Sequence, residues 1–196
     1  MSIFEAIVNH FNEHIDATSR SIETLTPYIA EAANLLGQTL IADKKIICVA
    51  APNSFAAGQQ FCQNMLGNIA MERPALPAIF LENSNTASAS IANGNSSSVH
   101  ASQLAAIGQP GDALLIFSFT GEESALLNTI DAAIGRGMKV ISIASGEASA
   151  IAQRTPNNHV HVPMTGFSAA QSIHLHFLLA QMLSDLVEQQ LFGSLA

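Results

Sequence analysis

Two short polar turns in this 196-residue chain have the residue types and spacing of anion-binding loops. The first follows an apolar run at 45–50 and ends in Asn53 and Ser54. The second follows an apolar run at 114–118 and carries Thr120. In parallel α/β proteins such a turn presents the first amides of the next helix to a phosphate group. The two turns therefore predict a site for a phosphate or another small anion.

The same turns contain residues that oppose phosphate binding. Pro52 removes one backbone N–H from the first turn and fixes its φ angle. Glu122 and Glu123 place two carboxylates at the start of the second helix, where they would repel a phosphate. A second interpretation is that both glutamates only stabilise the helix dipole, by roughly 0.3–1 kcal/mol each. Both interpretations predict weak phosphate binding.

Histidines are the remaining candidates for metal binding or proton transfer: His10, His14, His100, His159, His161, His174 and His176. His159 and His161 alternate on a strand and share one face, but no third ligand is near in sequence. His174 and His176 are two positions apart on a helix and therefore point in different directions. We expect His10, His14 and His100 to be exposed and predict no metal site, although His174 could line a pocket.

Composition and charge argue against several classes of function. A net charge of −8 with only 7 Lys and Arg argues against direct binding to nucleic acid through its phosphates. No apolar run reaches the roughly 20 residues that span a bilayer, and no signal-peptide pattern is present. We therefore expect a cytoplasmic protein that does not bind membranes. Cys48 and Cys62 are expected as buried free thiols, and no glycine motif predicts a nucleotide cofactor.

The pattern of apolar residues predicts one α/β domain over residues 1–196. Five β-type runs alternate with helical segments, at 46–50, 78–81, 113–118, 139–144 and 159–162. The middle runs are apolar throughout, which is typical of strands buried on both faces. We therefore predict a flavodoxin-like three-layer sandwich with a five-stranded parallel sheet, whose carboxyl edge holds the two polar turns.

Helices are predicted on both sides of this strand region. An apolar stripe that includes Phe4, Phe11 and Ile15 indicates a first helix. Thr26 and Pro27 predict the start of a second one, because proline is favoured at the first helical position. A long C-terminal helix is predicted over 168–191. Since the sheet needs neither N-terminal helix, we expect them to cover an edge or to assemble the chain into a homo-oligomer, as a tetramer.

Three sequence motifs resemble the SIS (sugar isomerase) domain family. They are Arg-Pro-x-x-Pro-Ala-Ile at 73–79, Gly-Asp-x-Leu-Leu at 111–115 and Gln-Ser-Ile-His at 171–174. Together with the order of the elements, they resemble the branch that contains phosphoheptose isomerase and the DnaA initiator-associating proteins (DiaA). The resemblance implies a SIS-type fold over the whole chain. In the enzymes of this branch it implies the isomerisation of sedoheptulose 7-phosphate.

The resemblance also relates both turns to the phosphosugar loops of the branch. The first loop, Gly-Asn-Gly-x-Ser, corresponds to 50–54, and the second, Ser-Thr-Ser-Gly-Asn-Ser, corresponds to 118–123. The side chains that could still bind a phosphosugar are Asn53, Ser54, Ser118, Thr120 and, after a shift of one residue, Ser124. The alanines that replace the glycines restrict the close approach of a ligand to the backbone.

The isomerase centre of the branch is a cluster of His, Glu, Gln and His. By resemblance these positions are Gln60, Asn64, Gln171 and Leu179. Aldose–ketose isomerisation moves a proton between neighbouring carbons and needs a positioned acid and base. Because amides do not titrate and leucine has no polar group, the resemblance implies that these four positions are degenerate and that none is catalytic.

Because of these degenerate positions, the resemblance implies a catalytically inactive adaptor similar to DiaA, which binds DnaA in replication initiation. Repeated weak contacts on a symmetric oligomer would be strengthened by their effective concentration. Leu191 and Phe192, where DiaA-type proteins have a similar pair, are the candidate partner-binding residues. They could instead pack in the core or in a subunit interface. A phosphosugar isomerase with a rearranged site and a phosphosugar-binding sensor are the alternatives.

Overall fold

Five parallel strands form the centre of the structure, a computed structural model that describes residues 2–67, 72–82, 99–145 and 149–193. The strands are β1 Ile46–Ala50, β2 Ala78–Phe80, β3 Ala113–Phe117, β4 Lys139–Ala144 and β5 Val160–Pro163. They are arranged in the order β2-β1-β3-β4-β5, and every neighbouring pair is parallel. The predicted five-stranded parallel sheet is therefore confirmed, with strand ends that differ from the prediction by at most one residue.

Helices cover both faces of the sheet: α1 Ile3–Ile41, α2 Phe55–Leu66, α3 Val99–Ile107, α4 Ser124–Gly135, α5 Ala150–Arg154 and α6 Ala169–Phe192. Alternate residues of each central strand face opposite layers. Ile46 and Cys48 of β1 belong to the core beneath α1, α2 and α6, whereas Ile47 and Val49 belong to the core beneath α3 and α4. This two-sided burial explains why the central strands are apolar throughout.

The first helix differs from the prediction, because one continuous helix replaces the two that Thr26 and Pro27 indicate. Proline lacks an N–H and therefore removes one helical hydrogen bond. The hydroxyl of Thr26 donates to the carbonyl of Ile22, within the same turn. Leu25 and Ile29, on either side of Pro27, are both buried against the core. Packing on both sides of the proline thus outweighs its local tendency to begin a new helix.

The N-terminal part of α1 presents its apolar stripe to solvent. Phe4, Phe11 and Ile15 are 72%, 67% and 64% exposed. The expectation that another subunit covers this stripe, in a tetramer or otherwise, stays a prediction. No helix in the described part of the chain is both long and apolar enough to cross a membrane.

Buried polar contacts hold the amino-terminal edge of the sheet and the outer helices. The Asp112 carboxylate accepts from the Lys45 amide at 3.1 Å and pairs with its Nζ at 2.5 Å, which joins the starts of β1 and β3. On the other side, Arg73 Nε is 2.6 Å from Glu188 Oε2. Arg73 also donates to the Asn64 and Met65 carbonyls at the end of α2. These contacts fix α2 against α6 and so position the turn that precedes α2.

The two cysteines are buried free thiols, as predicted. Burial raises the pKa of the Cys48 thiol well above its usual value, and the neighbouring Cys62 raises it further. The thiolate is the reactive form of cysteine, so Cys48 is suited to packing and not to nucleophilic chemistry.

Candidate functional site

The β1–α2 turn is a single turn of 3₁₀ helix, Pro52–Ser54, at the carboxyl edge of the sheet. The Ser54 amide donates to the Ala51 carbonyl at 2.9 Å, and the Phe55 amide bonds to the Pro52 carbonyl. These amides are therefore used within the turn and are not directed at a ligand. The Asn53 side chain is exposed. The prediction that this turn is poorly suited to holding a phosphate agrees with this geometry.

Ser54 connects the first turn to the C-terminal helix. Its hydroxyl lies 2.8 Å from Nδ1 of His176 on α6, and both side chains are buried. The imidazole also packs edge-on against the Phe117 ring of β3, with centroids 5.8 Å apart. Burial lowers the pKa of His176 to about 4, although the charge of Glu123 acts in the opposite direction. A hydroxyl and a neutral imidazole at this distance resemble a nucleophile and its base, but burial keeps both from substrate.

The β3–α4 loop directs its hydrogen-bond donors at one carboxylate, that of Glu123. The Phe119 and Thr120 amides donate to its Oε1 at 2.9 and 2.8 Å. The Ser118 hydroxyl donates to its Oε2 at 2.5 Å. Three donors converging on one anionic group form an anion site, and a side chain of the protein itself occupies that site.

Electrostatics agrees with an ionised Glu123. Burial alone would raise the pKa of its carboxyl group. The hydrogen bonds from Ser118, Thr120 and Phe119 more than offset this effect, so the pKa lies below its usual value. The carboxylate therefore carries its full negative charge at neutral pH.

The two neighbouring glutamates have different roles. The Glu122 carboxylate accepts from the Ala150 amide at 3.0 Å and so contacts the start of α5, outside the loop. The Glu122 amide donates to Thr120 Oγ1 at 3.2 Å, so the hydroxyl predicted to contact a sugar accepts one hydrogen bond within the loop. Ser124 is the exposed first residue of α4. Of the two predicted carboxylates, only Glu123 lies where a phosphate was expected.

A cavity of about 130 Å³ separates this loop from the first turn. Its lining residues are Ala50, Ala51, Pro52, His100, Glu123, Ala125 and Leu126. His100, in the first turn of α3, is only 5% exposed, and its Nδ1 has no hydrogen-bond partner among the described residues. Burial lowers its pKa, so the ring is neutral at pH 7. The prediction of an exposed His100 is wrong, because α3 turns its first residues toward the sheet edge.

The four degenerate positions form structural contacts. Gln60 donates to Asn64 Oδ1 at 2.6 Å, and Asn64 donates to Ser184 Oγ at 2.9 Å, which joins α2 to α6. Gln171 forms a capping box with Ser168 and donates to the Glu13 carbonyl at 3.1 Å. Leu179 is buried in the core. None of these groups titrates in a physiological range, and their assignment as non-catalytic stays a prediction.

The remaining histidines lie away from this cavity. Nδ1 of His14 is 2.8 Å from Nδ1 of His174, and the His10 ring lies 4.7 Å from the His14 ring. His159 Nδ1 accepts from the Val140 amide, and His161 Nδ1 contacts the Ser142 hydroxyl. These two imidazoles thus use separate partners instead of sharing an ion. No group of three or more metal-ligating side chains is found in the part of the chain that the structure describes.

The structure separates the two residues of the C-terminal pair. Leu191 is half-buried and packs against the core, whereas Phe192 is 42% exposed. An interface that used both residues equally would need Leu191 to leave its packing position. Of this pair, Phe192 is the residue whose side chain is available at the surface.

Comparison with known proteins identifies the family. A family model described as SIS domain matches residues 9–145, which is more than half of the chain. The chain belongs to the SIS domain family. The phosphoheptose isomerase of Chromohalobacter salexigens is 32% identical over 195 residues, and the match covers 99% of both chains. That of Methylococcus capsulatus is 34% identical over 194 residues, which is 98% of this chain and 100% of the relative.

Solved structures give the same result. A phosphoheptose isomerase from Francisella tularensis superposes with a TM-score of 0.90 and 28% identity, over 96% of this chain and 100% of that one. A phosphoheptose isomerase from Neisseria gonorrhoeae gives a TM-score of 0.88 and 25% identity over the same shares. The predicted resemblance to the phosphoheptose isomerase branch is therefore confirmed.

These relatives correct the predicted function. The prediction of a catalytically inactive adaptor for DnaA is wrong, because the full-length relatives are phosphoheptose isomerases. The alternatives that involve a phosphosugar agree better with these findings.

Proposed function

We propose that this SIS-domain protein binds a sugar phosphate of the phosphoheptose type, such as sedoheptulose 7-phosphate, at the carboxyl edge of its sheet. The carrying observation is the β3–α4 loop, where one hydroxyl and two amides converge on an anionic group. A phosphate has the same sign of charge and several acceptor oxygens, so the same donors can bind it. The full-length similarity to phosphoheptose isomerases supports this choice of ligand.

The cavity beside the loop is the proposed place for the sugar. Its volume of about 130 Å³ is small, since ligand pockets typically have about 300 Å³ or more. The carboxylate of Glu123 forms part of the cavity wall, so moving this carboxylate away would enlarge the space for a sugar. The buried Nδ1 of His100 offers a polar contact to a sugar hydroxyl. The other lining residues are small or apolar, which fits the carbon skeleton of a sugar.

Calorimetric titration with sedoheptulose 7-phosphate and with unphosphorylated sedoheptulose tests the proposal. We expect heat of binding from the phosphorylated sugar only. Ser118→Ala should weaken that binding because it removes a donor of the anion site, while Ser19→Ala, the matched control on an exposed hydroxyl of α1, should leave it unchanged. Equal binding of both sugars, or no binding at millimolar ligand, would contradict the proposal.

Isomerisation of the bound sugar is a second candidate function, favoured by a separate observation. His100 and Glu123 line the same cavity, and a phosphate that takes the loop donors would release the Glu123 carboxylate beside the neutral imidazole of His100. Groups of these two types can move a proton between neighbouring carbons. The chain would then use an acid–base pair outside the four degenerate positions.

Incubation with sedoheptulose 7-phosphate in D₂O, followed by NMR, tests this candidate. Isomerisation removes one hydrogen from C1 of the ketose and adds one at C2 of the aldose, so turnover in D₂O appears as deuterium at C2 of the aldose. We expect His100→Asn to abolish turnover and Gln171→Ala to preserve it. Turnover that depends on Gln171 and not on His100 would exclude the proposed pair.

A further inference from the structure

We infer that Glu123 is an internal competitor for the phosphate, which occupies the anion site of the β3–α4 loop until the ligand displaces it. The inference rests on the proposed function and adds a residue that sets the affinity for the ligand. It is carried by the contacts of the carboxylate, by the independent support of the loop and by the composition of the adjoining cavity.

The donors of the loop cannot serve two anions at once. The amides of Phe119 and Thr120 and the hydroxyl of Ser118 each have one hydrogen, and each is directed at the Glu123 carboxylate. All three distances lie between 2.5 and 2.9 Å, as in charge-assisted hydrogen bonds. A phosphate that used these donors would therefore have to replace the carboxylate.

The loop keeps its shape through contacts that do not involve the Glu123 side chain. The Gly121 amide donates to Ser118 Oγ at 2.9 Å, and the Gly121 carbonyl accepts from the Ile151 amide at 3.0 Å. Ser145 Oγ donates to the Phe119 carbonyl at 2.7 Å. Gly121 has a φ of +79°, which glycine adopts without strain. Removal of the carboxylate should thus leave an assembled and vacant anion site.

The cavity offers a displaced Glu123 carboxylate no positively charged side chain from the described residues. Among the described residues that line it there is no Lys or Arg. A carboxylate that remained beside a bound phosphate would repel it in a partly buried position, where water screens charge poorly. Binding to the unmodified protein therefore has to overcome both the loss of three hydrogen bonds and this repulsion. Inorganic phosphate, which has no sugar to make further contacts, should therefore compete poorly with the Glu123 carboxylate.

Calorimetric titrations of four proteins test the inference, with sedoheptulose 7-phosphate and inorganic phosphate as probes. The proteins are the unmodified chain, Glu123→Ser, Glu123→Gln and the matched control Glu122→Gln. The control removes the same charge from the neighbouring residue, whose carboxylate lies outside the loop. Glu123→Gln is close in shape to the native residue, and a thermal melt of each variant reports whether it is folded.

We expect both Glu123 variants to bind each probe at least about tenfold more tightly than the unmodified chain. In these variants no carboxylate is held in the anion site by charge-assisted hydrogen bonds. Glu122→Gln should stay within about twofold of the unmodified chain, since exposed charges are screened. If the unmodified chain binds the phosphosugar and the Glu123 variants bind it no better, the inference about Glu123 fails while the proposed function stands. It also fails if Glu122→Gln tightens binding equally. If no protein binds either probe, the inference and the proposed function fail together.

Discussion

His176 should make the stability of the protein depend on pH between about 6.5 and 4. Burial lowers the pKa of this imidazole from 6.5 to about 4, partly opposed by the charge of Glu123. In the unfolded chain the ring takes up a proton below pH 6.5, whereas in the folded protein it does so only below about 4. The unfolded state therefore binds more protons in this window, and stability falls as the pH falls.

The magnitude follows from the two pKa values. At about 1.4 kcal/mol for each pKa unit, they correspond to about 3 kcal/mol of stability at full effect. Most of this loss should occur between pH 7 and pH 4.5. Because the group is almost completely buried, screening by solvent reduces the effect little.

His176→Asn isolates this contribution. The Asn side chain does not titrate, and its amide can still hydrogen-bond with Ser54. Urea unfolding at pH 7 and at pH 4.5 measures how much free energy of unfolding each protein loses between the two pH values. We expect this loss to be about 2 to 3 kcal/mol larger in the unmodified protein than in His176→Asn. His174→Asn, an exposed control on the same helix, should retain most of the pH dependence. Identical pH dependence in the unmodified protein and His176→Asn would refute the reasoning.

Three further substitutions test contacts around the site. Arg73→Met should lower the free energy of unfolding by about 3 to 5 kcal/mol in urea titrations, because it leaves the Glu188 carboxylate buried without its partner. Gly121→Ala should lower the melting temperature and weaken phosphosugar binding, since the residue has φ +79° and its new Cβ would lie 2.5 Å from a neighbouring side chain. In thermal melts, Leu191→Ala should destabilise the chain more than Phe192→Ala, because only Leu191 packs against the core.

The sheet could be predicted because its strands carry a strong local signal. The sequence predicts strands at 46–50 and 139–144 with the bounds that the structure has, since each is an apolar run between turn residues. The first helix could not be predicted correctly, because the local rule for Pro27 competes with packing that involves distant parts of the chain. Burial of Leu25 and Ile29 against the core is not visible in the sequence around the proline.

The candidate site was predictable in its location but not in its contacts. The strand–turn–helix pattern predicts the positions of the two turns, and the sequence places the carboxylates of Glu122 and Glu123 where an anion is expected. Which of them occupies the site depends on the direction of the chain through Gly121, with its positive φ, and not on residue type. The sequence predicts an exposed His100, because only the tertiary packing of α3 brings this side chain to the cavity.

A crystal structure of the protein with sedoheptulose 7-phosphate tests the central claim most directly. We expect the phosphate oxygens to lie within hydrogen-bond distance of the Phe119 and Thr120 amides, with the Glu123 carboxylate moved away from both. A phosphosugar bound elsewhere, with Glu123 still accepting from those two amides, would contradict the account.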